Sequence, residues 1–296
     1  MSQEKQPESL LDAVGHTFEA TSFSYAEKDA ALFALSIGAS SDPLDATDLQ
    51  YTYELAPSGF HCFPTFAATF PLRTLEQITS VPGQSLNLME VLHGEHYLEL
   101  SRPLPPRGMI VNEATISQVY DKGSGALIIV DITSSDENGA HVAFNQASIF
   151  VRGRGNFGGE RGPSSRENAV PERTADALFS EITNENQALL YRLTSGDHNP
   201  LHADSRFAAL LGYPRPILHG LCTYGYAARA VLKTYAGNDA HLFKSIRARF
   251  SSHVFPGETI ETEMWQESAV SIRFRSRVVE RDDVVLTNGV VILQGA

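Results

Sequence analysis

Only two cysteines, Cys62 and Cys222, occur in 296 residues, so no disulfide framework organises this chain. A reducing compartment is expected. Long apolar runs are also missing: nothing approaches the roughly 20 residues of a membrane-spanning helix, and Met1 to His16 lacks the apolar core of a signal peptide. Gln294-Gly295-Ala296 carries no Ser-Lys-Leu-type peroxisomal address, so a soluble, intracellular, cytoplasmic protein is expected, with a peroxisomal one left open. Basic residues are in deficit, 23 against 35 acidic ones, for a formal charge of -12. That balance argues against wholesale binding to nucleic acid or to an anionic membrane, since a polyanion would be repelled. Neither HExxH nor a paired Cys/His spacing is present, so no metal is expected.

What the chain does have is length and one dense polar motif. A chain of 296 residues exceeds the usual single domain, so two domains or one duplicated unit is the expectation. The sequence Asp197-His198-Asn199-Pro200-Leu201-His202 follows Ser195-Gly196 and sets a carboxylate and an imidazole around a rigid Asn-Pro turn. Such a pair can hold a water between a proton acceptor and a proton donor near neutral pH. The same residues also make a good turn and helix start, because Asp and Asn oxygens cap free N–H groups. Asp197, His198, His202 and His219 can be imagined as metal ligands, although their spacing matches no known ligand set.

Downstream, Ser205 to Gly212 reads as a short helix, Tyr213-Pro214-Arg215-Pro216 as an extended link, and Gly220 to Tyr235 as a long, mostly apolar helix. The first N–H groups of that helix lack internal partners and sit at its positive end. The Gly220 N–H is thus a candidate donor to an oxyanion, with tight packing as the alternative use of the glycine. Asp197, His202 and Gly220 together suit addition of water to a double bond conjugated with a carbonyl, or the reverse elimination.

These residues also carry a family resemblance. Tyr191-Arg192-Leu193, then Ser195-Gly196-Asp197-x-Asn199-Pro200-Leu201-His202 and Pro216-Ile217-Leu218-His219-Gly220-Leu221-Cys222-Thr223, closely resemble the hydratase 2 motif of the MaoC-like dehydratases. The likeness extends to Arg249-Phe250, Val254 to Thr259, Glu263-Met264-Trp265, Leu92-His93-Gly94-Glu95-x-Tyr97-Leu98-Glu99-Leu100 and Asp121 to Gly125. Nearly the whole chain is similar to the (R)-specific 2-enoyl-CoA hydratase 2 unit of peroxisomal multifunctional enzymes of fatty acid β-oxidation. Thr194-Ser195 departs from the pattern by one extra residue, which a strand end or turn should absorb. The resemblance implies a double hot-dog fold of the α+β class and syn-hydration of trans-2-enoyl-CoA to (3R)-3-hydroxyacyl-CoA. Asp197 and His202 would be the catalytic pair, Asn199 their orienting partner and Gly220 N–H the donor to the thioester oxygen. His93, Gly94, Lys122, Arg249 and Phe250 are carried over as contacts to coenzyme A, which enters as part of the substrate; no separate cofactor and a homodimer are implied.

An internal repeat supports duplication. Phe33 to Asp45 aligns with Tyr191 to His202 if one extra residue lies between glycine and proline in the first copy, so that Ala39 replaces Asp197 and Asp45 replaces His202. The first copy has lost the pair, and the apolar volume freed there would suit a fatty acyl chain. Phe63 to Phe70 is a rough counterpart of the helix at Gly220. Strands are expected at Leu98 to Leu104, Met109 to Val119, Ala126 to Thr133 and Ala140 to Arg152, and again at Ser245 to Ser251, Thr259 to Gln266, Ala269 to Glu280 and Val284 to Leu293. Each half is expected to be one apolar helix followed by an antiparallel meander. Gly153 to Arg173 reads as a linker with a boundary near Ser164 to Pro171, giving an acyl-CoA-binding first repeat over 1–165 and a hydratase repeat over 172–296. Lys122, Arg152, Arg154, Lys244, Arg247 and Arg249 are the cations available to an anionic coenzyme on an acidic chain. The alternatives are a hot-dog acyl-CoA thioesterase, with Cys222 and His219 as nucleophile and base, or a non-catalytic acyl-CoA-binding module.

Overall fold

The structure, a computed structural model, describes residues 10–81, 86–163 and 168–295. Its ten strands among these residues are β1 (Thr21–Tyr25), β2 (Val91–Leu100), β3 (Gly108–Asp121), β4 (Gly125–Asp136), β5 (His141–Arg152), β6 (Ala177–Ile182), β7 (Phe243–Phe250), β8 (Thr259–Gln266), β9 (Ser271–Val278) and β10 (Asp283–Leu293). The α-helices are α1 (Glu27–Ser36), α2 (Leu49–Thr52), α3 (Leu72–Leu75), α4 (Gln187–Ser195), α5 (Ser205–Leu210) and α6 (Gly220–Tyr235). The strands form one antiparallel sheet in the order β1-β3-β4-β5-β2-β7-β10-β9-β8-β6. Read outward from the middle, the first five strands and the last five repeat the same order. The two copies join where β2 pairs with β7, Glu95 opposite Arg249 and Glu99 opposite Ser245.

Helix α6 fills the inner, concave face of the second copy. Leu221, Tyr224, Ala228, Val231 and Leu232 are buried, together with Ile246, Ala248, Met264, Phe274 and Val291 of the strands. Each fully buried side chain of this size contributes about 1.5–3 kcal/mol relative to exposure. No proline interrupts α6, so all four turns can bury this stripe.

The first copy differs from expectation here. Where a second long helix was expected there is a chain of single turns, Pro64–Ala68, α3 and Glu76–Ser80. Pro64 and Pro71 account for the breaks, because proline lacks an N–H and blocks the preceding turn. A second apolar cluster still forms, with Leu75, Ile78 and Val81 against Ile116, Ile128, Val130 and Ile149.

The repeat at the chain's two helix ends is visible in the backbone. Helix α1 ends before Gly38 (φ 87°) and α4 before Gly196 (φ 72°), both in the left-handed region that favours glycine. The extra residue at Thr194-Ser195 is therefore absorbed in the last turn of a helix, not in a strand end. Two equal strand orders around one central helix are a double hot dog. Among the described residues no helix is long and apolar enough to cross a membrane. The boundary expected near Ser164 to Pro171 falls partly outside the described residues.

Candidate active site

Gly196 reverses the chain out of α4, and the three following residues are fixed by their own hydrogen bonds. Asp197 N–H donates to Ser195 Oγ (3.2 Å), Asn199 N–H to Asp197 Oδ1 (2.9 Å) and Leu201 N–H to Asn199 Oδ1 (3.1 Å). Asn199 thus caps the single turn Pro200–His202, with proline at its first position where no N–H is needed. His202 Nδ1 lies 2.9 Å from the carbonyl oxygen of Ile217. A carbonyl can only accept, so the neutral ring carries its proton on Nδ1 and leaves Nε2 as a bare acceptor. Burial holds the His202 pKa below 6.5, against the opposing pulls of Asp197 and of the Ile217 carbonyl.

His219 stacks on His202 with ring centroids 3.8 Å apart and planes 26° from parallel, and the Tyr191 ring lies 4.9 Å from it, tilted by 42°. His219 is 2% exposed, and neither of its ring nitrogens nor the Tyr191 hydroxyl has a hydrogen-bond partner among the described residues. Burial, then His202 and Arg192, pushes the His219 pKa well below 6.5. Asp197, His202 and His219 offer ligand atoms within 4.8 Å of one another. His198 points away, exposed and outside the cavity.

Gly220 opens α6 after His219, whose backbone is extended (φ -64°, ψ 138°) and supplies no side-chain cap. The Gly220 N–H therefore has no acceptor inside the helix, and the residue lines the cavity. A Cβ on Gly220 would lie 3.0 Å from the Phe250 ring, so α6 and β7 approach closely at this glycine.

All nine residues singled out from the sequence, Asp197, Asn199, His202, Gly220, His93, Gly94, Lys122, Arg249 and Phe250, line one cavity of about 1390 Å³. Its walls lie on both faces of the sheet. A bulge between His93 and Glu95 in β2 puts His93 on the inner face with His96, while Glu95 turns outward to pair with Arg247 (2.7 Å). Phe250 is inside with His93, their rings 5.2 Å apart and nearly perpendicular. Arg249 and Lys122 are outside. Burial, Arg249 and Arg161 together lower the Lys122 pKa, and the ammonium donates to the carbonyls of Arg161 and of Pro163 (3.2 Å). Arg152 also reaches the outer mouth. Arg247, Lys244 and Arg154 are instead engaged with Glu95, Glu99 and Glu90.

The first copy's counterpart of the polar pair is closed. Ala39 is buried, and Asp45 is bonded to Lys233 of α6, which also reaches Asp48 (2.9 Å). Arg229, 1% exposed, joins Asp48 (3.0 Å) and Glu181 (2.8 Å) beside it. The volume expected for an acyl chain at Ala39 and Asp45 is therefore taken by two cations from α6, and neither residue lines the cavity. Leu72, Val91 and His93 are what the first copy presents to the inner chamber. Cys222 is fully buried, donates to Ser36 O (3.3 Å) and has its thiol pKa pushed well up by burial, which removes it as a nucleophile.

Sequence reading passed over His96, Tyr191 as a wall of the chamber, and His219 as part of the stack. A glycine inside a strand pattern, as at Gly94, signals the bulge that brings His93 and His96 to one face.

A carboxylate and a tautomer-fixed imidazole beside a helix N-terminus, carried on a double hot dog, define an acid–base enzyme of the MaoC-like dehydratase type. Two family models match, "MFE-2 hydratase 2 N-terminal domain" over residues 23–153 and "MaoC like domain" over 166–289. The chain is 44% identical over 288 residues to the mouse peroxisomal multifunctional enzyme type 2, covering 96% of this chain but 38% of that protein. It is 40% identical to a probable enoyl-CoA hydratase 2 of Dictyostelium discoideum, covering 95% of each. A solved MaoC-like dehydratase from Phytophthora capsici superposes with a TM-score of 0.86 at 35% identity, over 96% of this chain and 97% of that one. The chain belongs to the enoyl-CoA hydratase 2 family of MaoC-like proteins.

Proposed function

We propose that this protein is a hydro-lyase that reversibly hydrates trans-2-enoyl-CoA to (3R)-3-hydroxyacyl-CoA in fatty acid metabolism. The observation that carries the reading is the His202 tautomer. Its Nδ1 proton is committed to the Ile217 carbonyl, so Nε2 is the free acceptor facing the same chamber as Asp197 and the Gly220 N–H.

A water held by Asp197 and His202 adds its oxygen to C3 while one of its protons passes to the pair. The electron pair of the double bond moves toward the thioester, whose oxygen takes up negative charge against the Gly220 N–H. Return of a proton from the pair to C2 on the same face completes a syn addition of H and OH. The pair shares the proton, so it titrates and acts as a unit. Asn199 orients Asp197 through its backbone N–H and caps the turn that carries His202.

Coenzyme A lies across the outer mouth, its phosphates toward Lys122 and Arg249. The pantetheine arm passes Gly94, where a Cβ would sit 3.4 Å from the Ser148 carbonyl, and the acyl group enters past Phe250 and Leu72. No cofactor beyond the coenzyme in the substrate is needed for this chemistry. A homodimer is the proposed assembly, with Leu189 and Leu193 of α4 and Leu178 and Ile182 of edge strand β6 as exposed apolar contacts; sedimentation of the purified protein tests it. The cytosol is the proposed compartment, tested by cell fractionation.

The deciding assay follows loss of enoyl absorbance with crotonyl-CoA and with a longer enoyl-CoA, with chiral analysis of the product. A (3R) product is expected. A (3S) product, or release of free thiol without hydration, would overturn the reading.

A further inference from the structure

The first copy contributes a hydrogen-bonded chain that the hydration chemistry does not use directly. His93 Nε2 lies 3.2 Å from His96 Nδ1, and His96 Nε2 lies 2.9 Å from Asn145 Oδ1. Asn145 Nδ2 donates to the Ala67 carbonyl (3.3 Å), which fixes the amide so that Oδ1 is the end offered to His96. His96 must then carry its proton on Nε2, its Nδ1 must accept, and His93 must donate from Nε2. The chain ends on a carboxamide, so it cannot carry a proton away; what it can do is hold a ring in place.

The ring it holds is the one packed on the second copy's active site. His93 meets Phe250 at 5.2 Å and 72°, and His96 meets Tyr224 of α6 at 5.7 Å and 87°. Phe250 in turn lies so close to Gly220 that a Cβ there would be 3.0 Å from its ring. His96 and Asn145 are fully buried, while His93 keeps one side open to the cavity. Burial pushes the pKa of His93 to about 3, with His96 adding to the fall and the Glu95 backbone opposing it. That of His96 falls to about 4 for the same first reason, with Asn145 opposing. Both shifts favour the neutral rings that this hydrogen-bonded chain requires.

We propose that His93 is a positioning residue for hydration: anchored through His96 and Asn145, it holds the Phe250 ring against Gly220 and so sets where the thioester oxygen meets the Gly220 N–H. The inference rests on Gly220 as the oxyanion donor. It also distinguishes His93 from a simple contact to coenzyme A, because positioning acts on the transition state whereas a uniform contact acts on binding.

The test uses the full chain with crotonyl-CoA. His93→Ala should lower kcat at least about tenfold, since a small misplacement of reacting groups is costly, while KM changes less than about twofold. His93→Gln, whose amide N–H can still reach His96 Nδ1, should recover a substantial part of kcat. Phe250→Leu should lower kcat similarly, and the double variant His93→Ala/Phe250→Leu should be little worse than Phe250→Leu alone, because both act through one contact. A rise in KM at constant kcat, additive effects, or no recovery with glutamine would each overturn the proposal. Gly220→Ala separates the underlying reading: if it leaves kcat unchanged the oxyanion assignment fails, whereas a large loss there with no effect of His93→Ala rejects only the positioning role.

Discussion

His202 owes its chemical role to a neighbour that cannot be protonated. The Ile217 carbonyl fixes the tautomer, and burial keeps the ring neutral, so the bare Nε2 persists where an exposed histidine would already be charged. Asp197→Asn and His202→Gln, each close in size to the original, should retain the fold and reduce kcat roughly 10²–10⁴-fold. The double variant should be hardly worse than the poorer single one, since the pair acts on one water; steady-state kinetics on variants with unchanged circular dichroism decide it. The pH profile follows with a definite sign. Because burial lowers the folded His202 pKa below the usual 6.5, the acid limb of kcat/KM should be centred below pH 6.5. An acid limb centred at or above pH 6.5 would refute a buried neutral His202 as the acceptor.

At the scale of elements, α6 does two jobs at its two ends. Gly220 at its start faces the chamber, and Arg229 and Lys233 further along bind the first copy through Asp48 and Asp45. Arg229→Met should leave Glu181 without its ion-pair partner and Asp48 with Lys233 alone, and cost about 3–5 kcal/mol, read as a lower denaturation midpoint, while kcat per folded molecule stays within about twofold. A midpoint unchanged by the substitution would show that the network does not hold the two copies together. Much of this architecture was legible: the proline-free apolar run predicts α6 from Gly220 to Tyr235 as found, and β8 matches Thr259 to Gln266 at both ends. β2 was misjudged, running from Val91 to Leu100 where Leu98 to Leu104 was expected, because its first half is His-Gly-Glu-His, without an alternating apolar pattern, and Pro103 ends the pairing. The helices α1 and α4 and the edge strands β1 and β6 were not singled out; each is short, and their burial is decided by packing across the repeat. The motif residues of the site were legible because Asp197, Asn199 and His202 stand within six residues of sequence and Gly220 follows shortly after. The stack of His219 on His202 was not, since it depends on how the link before α6 folds back onto the Pro200–His202 turn, and neither was the split of the cavity between the faces, which depends on β2 meeting β7 about 150 residues away.

Over the whole molecule, an acidic protein must bind a substrate that carries several phosphate charges. With a formal charge of -12 the long-range field repels coenzyme A, so affinity rests on the few cations at the outer mouth, Lys122, Arg152 and Arg249. Salt acts on both parts in opposite directions. It screens the distant acidic groups, which lie beyond a Debye length of about 8 Å at physiological ionic strength, and it weakens the contacts at the mouth. Near contact the local attraction exceeds the diffuse repulsion, so KM for an enoyl-CoA should rise with added salt while kcat changes little if, as proposed, the phosphates bind on the outer face and the reacting carbons on the inner one. Arg249→Met removes one outer cation without touching the inner chamber. It should therefore raise KM several-fold at low salt, leave kcat within about twofold, and flatten the salt dependence of KM, since the remaining local attraction no longer dominates the repulsive background. Measuring kcat and KM across a salt series for both proteins is sufficient: a variant that loses kcat at unchanged KM would place Arg249 at the reacting end of the substrate and reverse the assignment of the two faces.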